Sequence, residues 1–296
     1  AQAPPALVIR AGLAALDFEP AHALALAQRA LAALPRDLTA RKLFCSACLG
    51  VGDGGRALEE AARLLEAAPD DQYLIAMQAT ALRLLHDPRY EALCDYDAML
   101  LTQMLDTPPG WPDLDRFLAE LASRLDTLHN PHGHRLLYQS LRGGTETTQD
   151  LSRSTDPVIQ ALFQAFAAPI ARYRRHIGEG QDPLRRRNRG ASRFNGSWSV
   201  RLRHAGFHTS HVHPRGWISS ACYIQLPSSM RGSRTDEGIL SFGAPGMLTS
   251  PTLPAELSVR PVAGQLVLFP SYVWHGTLPF QGDQPRLTVA FDVVPG

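Results

Sequence analysis

Over roughly the first hundred residues apolar positions recur every three to four residues, filled mostly by alanine and leucine, which predicts a series of short amphipathic helices. The stretch also repeats itself. LPRD around Pro35 returns as APDD around Pro69, 34 residues later, and on that alignment Ala23 matches Ala57, Leu24 matches Leu58, Ala27 matches Ala61 and Leu31 matches Leu65. Small residues at such points let paired helices approach closely, and the proline after each second helix stops it because it lacks an amide donor. A third unit, QYLIAMQATALRLLHDPRYEALCDYDAML, keeps the helix pair and loses the closing signature. After the proline-rich DTPPGWP, two further amphipathic helices are predicted in DLDRFLAELASRLDTL and DPVIQALFQAFAAPIARYRRHI, separated by the polar linker HNPHGHRLLYQSLRGGTETTQDL. From Trp198 onward the period changes to alternation, and SWSVRLRH, ISSACYIQL, GILSF, QLVLF and RLTVAFDVV read as antiparallel strands. In the last of these Leu287, Val289, Phe291 and Val293 share one face, while Arg286, Thr288, Ala290 and Asp292 share the other. The second face is the one expected to point into a site.

These elements predict an α+β chain in three parts: helical repeats over residues 1–105, supporting helices over 106–190, and a two-sheet barrel or jelly roll over 191–296. The 34-residue spacing resembles the tetratricopeptide family, and an ordinary helical bundle is the alternative. Charge adds little: 29 Lys and Arg against 28 Asp and Glu leave a net +1, so no global field points to nucleic acid or an anionic membrane. Arg185, Arg186, Arg187, Arg189 and Arg193 form a basic loop that reads as a solvated connection rather than a binding patch. Cys45, Cys48, Cys94 and Cys222 sit apart in apolar contexts, as free thiols do in a reducing compartment, so a cytoplasmic location is expected. Cys45 and Cys48 form a CxxC, yet without a second pair they read as small core residues. The opening AQAPPALVIRAGLAAL has no basic run before its apolar stretch, and no segment reaches the ~20 apolar residues that span a bilayer, so neither secretion nor membrane insertion is expected.

Candidate chemistry concentrates in GFHTSHVHPRGW. His211 and His213, two residues apart, project from the same side of an extended segment and can reach one metal ion. His275, in GQLVLFPSYVWHGTLPF, lies about sixty residues later and could return beside them in a closed barrel. Two close ligands and one remote ligand leave coordination positions open, which a non-haem iron needs; imidazole suits zinc, copper and nickel as well. His129, His132 and His134 in the polar linker read as surface-loop histidines rather than as a second metal cluster.

With those motifs in view, residues 190–296 resemble the 2-oxoglutarate/Fe(II) oxygenase superfamily, in particular bacterial oxygenases joined to tetratricopeptide repeats. The resemblance implies a double-stranded β-helix (jelly-roll, cupin-like) barrel and the cofactors Fe(II) and 2-oxoglutarate. In that family a His-x-Asp/Glu pair and a distal His hold iron, and an Arg followed two positions later by Ser or Thr binds the far carboxylate of 2-oxoglutarate. HVH, WHG and RLT occupy those places here, which assigns His211, His213 and His275 to metal and Arg286 and Thr288 to cosubstrate. A planar guanidinium suits a carboxylate because it can donate two charge-assisted hydrogen bonds. Tyr223 resembles tyrosines that bond 2-oxoglutarate, and a buried tyrosine satisfied by backbone is the alternative. Arg201, His208 and Trp217 are candidate substrate contacts.

One departure matters. Where the superfamily has a carboxylate this chain has His213, so three outcomes stay open: an all-histidine triad, a two-histidine site completed by water, or a lapsed barrel. The resemblance implies a hydroxylase, and the extended concave surface of a repeat array implies a peptide or protein substrate. A three-histidine cupin-type iron dioxygenase that ignores 2-oxoglutarate, and a non-catalytic repeat-containing interaction protein, are the rival readings.

Overall fold

Six acidic residues set the starts of helices, because each places a carboxylate where the first backbone amides lack partners. In the computed structural model, which describes residues 4–130, 140–230 and 235–296, Asp37 accepts from the amide of Ala40, and Asp71 accepts from those of Tyr73 and Leu74. Asp53, Asp95, Asp113 and Asp156 cap in the same way. The chain divides into two compact units, one made of Ala1–Cys94 with Gly243–Ala255 and the other of Asp95–Phe242 with Glu256–Gly296.

The first unit holds α1 (Pro5–Ala15), α2 (Pro20–Ala33), α3 (Leu38–Gly50), α4 (Gly54–Ala67), α5 (Gln72–Leu84) and α6 (Arg89–Leu93). Ala23, Ala27, Ala57 and Ala61 are fully buried, the last three within the cores where α2 and α4 pack. One core gathers Val8, Ile9, Leu26 and Leu43, and another gathers Cys45, Cys48, Leu49, Leu74 and Met77. Cys45 and Cys48 are free and buried, and burial pushes the Cys48 thiol up to about 11, so neither is poised as a thiolate. The Gly243–Ala255 segment belongs to this unit: Leu49 accepts from the amide of Ser250, Arg83 donates to the carbonyls of Gly243 and Pro254, and Met247 packs on the second core.

The second unit follows with α7 (Tyr96–Met99), β1 (Leu101–Met104), α8 (Leu114–Asp126), β2 (Leu141–Glu146), α9 (Pro157–Ala165), α10 (Ala167–Ile177), β3 (Ser192–His208), β4 (Ile218–Gln225), β5 (Leu240–Phe242), β6 (Leu257–Val259), β7 (Gln265–Pro270), β8 (His275–Thr277) and β9 (Arg286–Pro295). Six strands pair in the order β1-β7-β4-β9-β3-β2 and three in the order β6-β5-β8, every pairing antiparallel. The helical stretch expected to run to residue 105 ends earlier, because Leu101–Met104 pairs with β7 in register Leu101 to Leu268. The helix expected across residues 156–177 is two, α9 and α10. The polar linker also contains a strand. At β2 Gly143 takes φ +67°, and a Cβ there would lie 2.9 Å from the Cα of Gly206, so the doubled glycine permits a bulge against β3.

On β9 the two faces diverge as alternation requires. Phe291 packs against Phe166 (ring centroids 4.6 Å) and Phe194 (5.2 Å), which places the Leu287, Val289, Phe291, Val293 face toward helix α9 and the aromatic core. The Arg286, Thr288, Ala290, Asp292 face lines a cavity of about 500 Å³. No described helix is long and apolar enough to cross a membrane.

Candidate metal centre

Backbone pairing brings the remote histidine to the local pair. His211 and His275 form an antiparallel bridge, the His211 amide donating to the His275 carbonyl (2.9 Å) and the His275 amide to the His211 carbonyl (3.0 Å). His213 follows in the loop beyond that bridge rather than on a strand, its amide donating to Ser271 (3.0 Å). The three rings converge: centroids lie 4.3 Å apart for His211 and His275, 5.2 Å for His211 and His213, and 5.0 Å for His213 and His275. One ring nitrogen from each falls within 4.8 Å of the others.

Hydrogen bonds on the far side of each ring decide which nitrogen faces inward. Nδ1 of His211 meets the carbonyl of Thr209 (2.9 Å) and Nδ1 of His275 that of Val273 (3.0 Å). Nδ1 of His213 meets Asp292 Oδ1 (2.6 Å). A carbonyl or carboxylate oxygen only accepts, so all three Nδ1 atoms carry hydrogen, and Nε2 is the nitrogen each ring has left for a metal ion. Nε2 of His213 and Nε2 of His211 then face each other at 3.3 Å. A proton on His213 donated to His211 satisfies that approach in the metal-free site, and a metal ion shared with His275 would take the proton's place.

Electrostatics distinguish the three rings. Burial, with the neighbouring imidazoles, holds His275 well below its ordinary value and pushes His211 down to about 4, so both stay neutral and able to donate electron pairs. Burial alone would also lower His213, but Asp292 outweighs it and the net direction is up. Asp292 in turn accepts from Ser219 Oγ (2.7 Å), which lies 2.8 Å from Ser271 Oγ.

Further along the same face Arg286 is 3% exposed. Its Nη1 donates to the Gly238 carbonyl (2.9 Å), its guanidinium stacks on the Tyr223 ring at 5.1 Å, and its Nε has no partner. The Tyr223 hydroxyl is likewise buried without a partner, although Tyr223 is not among the residues lining the cavity. A buried guanidinium and hydroxyl with unmet hydrogen-bonding capacity fit an absent carboxylate, since groups of this kind are rarely left unsatisfied. Thr288 lines the cavity beside them.

Of the candidate substrate contacts, only His208 lines the cavity; its Nδ1 lies 3.0 Å from Ser140 Oγ, and burial holds it well below its ordinary value. Arg201 and Trp217 do not. Trp198 and Val200 line the cavity, so alternation turns Arg201 to the other face, where its Nε lies 3.0 Å from Asp126 on α8. Trp217 is 1% exposed, donates from Nε1 to the Leu184 carbonyl (2.8 Å) and packs in the core. In the linker, His129 is not an open surface residue: its ring lies between Ser199 Oγ (3.1 Å) and Thr145 Oγ1 (2.9 Å), and burial pushes it down to about 4. His132 and His134 lie outside the described residues. Sequence reasoning assigned no role to Ser219, Ser271 or Glu146, and placed Asp292 on the inward face without a task. Glu146 lines the cavity with its carboxyl raised by burial.

Similarity to known proteins bears on this constellation. Residues 196–292 match the family described as "Putative 2OG-Fe(II) oxygenase". The match spans about a third of the chain and includes the three converging histidines, Arg286, Thr288 and Asp292. That segment is an enzyme domain of the class using Fe(II) and 2-oxoglutarate. Among solved structures, the chain is similar to a Pseudomonas putida prolyl-4-hydroxylase at 19% identity and TM-score 0.42, over 68% of this chain and 96% of that one. It is similar to a Trichoplax adhaerens prolyl hydroxylase in complex with a hypoxia inducible factor oxygen degradation domain peptide fragment (10%, TM-score 0.45, 78% and 93%). It is also similar to HygX from Streptomyces hygroscopicus with nickel, 2-oxoglutarate and hygromycin B bound (14%, TM-score 0.43, 68% and 85%). No curated protein matches the chain in sequence.

Proposed function

We propose that the chain is a 2-oxoglutarate-dependent hydroxylase whose iron is held by Nε2 of His211, His213 and His275, and whose cosubstrate carboxylate is held by Arg286 and Thr288. The two-sheet unit is read as a double-stranded β-helix and the first unit as a tetratricopeptide-like array that presents a peptide or protein segment. Fe(II) with 2-oxoglutarate supplies, when bound, the oxidising power to insert oxygen into a C–H bond. The chain's own residues provide the rest. Arg286 offers Nε–H, and the part of its guanidinium not used on Gly238, to a carboxylate in a water-poor position. The carbonyls of Thr209 and Val273 fix the tautomers of His211 and His275. Three neutral donors leave coordination sites for a bidentate cosubstrate and dioxygen.

The observation carrying this reading is the convergence of three rings whose Nδ1 atoms are all committed elsewhere. The buried guanidinium with an unmet Nε favours it over a three-histidine dioxygenase that ignores 2-oxoglutarate, because such an enzyme has no use for that cation. Anaerobic titration of the Fe(II)-loaded protein with 2-oxoglutarate tests it. A visible metal-to-ligand charge-transfer band that saturates near one equivalent is expected, and its absence from fully iron-loaded protein overturns the proposal.

A further inference from the structure

We infer that Asp292 is the anion of this metal centre, a positioning residue that orients His213 as a ligand and carries the negative charge that no direct ligand supplies. The inference rests on the metal-site reading above. Three neutral imidazoles leave a divalent ion with its whole charge in a buried site, where uncompensated charge is strongly disfavoured. Among the described residues Asp292 is the one carboxylate hydrogen-bonded to a member of the triad.

Its placement is fixed from several directions. Asp292 Oδ1 accepts from His213 Nδ1 (2.6 Å) and from Ser219 Oγ (2.7 Å). Ser219 Oγ, its proton given to Asp292, accepts in turn from Ser271 Oγ (2.8 Å). Gly216 leaves room for the network, since a Cβ there would collide with Ser271 Oγ and come within 3.2 Å of Asp292 Cγ. The His213 and Asp292 side chains are only 11% and 10% exposed, so water screens their pairing little. Asp292 lies outside the group of atoms within 4.8 Å of one another, so it acts through the imidazole and not as a direct ligand. A carboxylate accepting the outer N–H of a ligating imidazole fixes the tautomer and raises the basicity of Nε2. The charge that an acidic ligand would have placed at residue 213 thereby sits one ring further out, on β9. Arg286 occupies the same face of that strand, so one strand supplies an anion toward the metal ligands and a cation toward the cosubstrate.

Anaerobic binding of Co(II) to the full chain, followed by its visible d–d bands and by calorimetry, tests this without turnover. Asp292→Asn, which keeps size and removes charge, is expected to weaken Co(II) binding about 10- to 100-fold, while azide binds the Co(II)-loaded variant more tightly than it binds the loaded parent. Tighter azide binding reports lost negative charge, which a merely structural defect does not produce. Ser219→Ala retains every charge and only loosens Asp292, so a smaller loss of Co(II) affinity is expected, and this holds as the test should Asp292→Asn fail to fold. Unchanged Co(II) affinity in the folded variants, or unchanged azide affinity in Asp292→Asn, overturns the inference. If the parent chain binds Co(II) and the variants lose it, yet no 2-oxoglutarate band forms with iron, the oxygenase reading fails and the role of Asp292 stands. Absence of Co(II) binding by the parent chain overturns both.

Discussion

Replacing Arg286 by methionine should separate cosubstrate binding from stability with opposite demands on the two. The guanidinium is 3% exposed, holds one hydrogen bond to Gly238 and stacks on Tyr223, yet leaves Nε without a partner. Losing one member of a buried, hydrogen-bonded charge pair costs about 2–5 kcal/mol, which at about 1.4 kcal/mol per decade is roughly 30-fold to a few thousand-fold in 2-oxoglutarate affinity. In the ligand-free protein the balance differs. Methionine forfeits the Gly238 bond, about 1.5–3 kcal/mol for a charged donor, and the stacking, about 0.5–2 kcal/mol, but relieves the burial of an incompletely paired cation. Stability without ligand should therefore change by no more than about 2 kcal/mol in either direction. Titrating 2-oxoglutarate into the anaerobic Fe(II) form measures the first quantity, urea unfolding of the metal-free protein the second, and Co(II) affinity controls for an intact triad. Retention of 2-oxoglutarate affinity within threefold of the parent would refute the reasoning; so would equal losses of Co(II) and 2-oxoglutarate binding.

Two further outcomes follow from the same geometry. Metal-free protein should lose stability on acidification: His129 and His211 sit at about 4 in the fold against an ordinary value near 6.5, and His208 and His275 lie well below theirs. The unfolded chain then binds more protons as pH falls, so stability is full above pH 6.5 and declines toward pH 4 by up to about 1.4 kcal/mol per pH unit for each such group, less for the partly exposed His129. His213, raised in the fold, contributes in the opposite sense, being favoured at low pH and losing its contribution as pH rises. Urea midpoints at pH 7.5, 6 and 5 check the net slope, and a flat profile contradicts it. In the helical unit, Ala61→Leu adds three carbons at a fully buried position and should cost about 1–3 kcal/mol by thermal or chemical unfolding, whereas Arg63→Ala on the exposed side of α4 should change little.

What could be read in advance depended on how local each signal was. The helices of the first unit followed from periodicity and the closing prolines, both short-range, and the inward face of β9 followed from alternation over residues 286–293. Leu101–Met104 was read as the tail of a helical stretch because four residues show too little alternation, and its partner β7 lies more than 160 residues away. Gly143 and Gly144 fall in a stretch read as a polar linker, where a glycine pair permits unusual backbone angles; only the close approach of Gly206 shows why they are needed within a strand. HVH and WHG marked the triad, since a two-residue spacing and a remote histidine leave a trace in sequence. The partner of His213 leaves none: Asp292 is 79 residues downstream, and nothing near either residue announces the pairing. Arg201 was misplaced for lack of registration, which the sheet supplies once β3 is paired with β9, and Trp217 because nothing in the sequence announces the remote Leu184 carbonyl to which it donates.

The excursion of residues 243–255 bears on how this protein is made. Because the first folding unit is completed by a stretch inserted between two strands of the second, its final packing waits until the ribosome has delivered residue 255. A fragment cut at Cys94 would lack the carbonyls that Arg83 holds and the methionine that closes the second core. Gene truncations that treat the helices as an autonomous module should therefore yield an incompletely packed, protease-sensitive product.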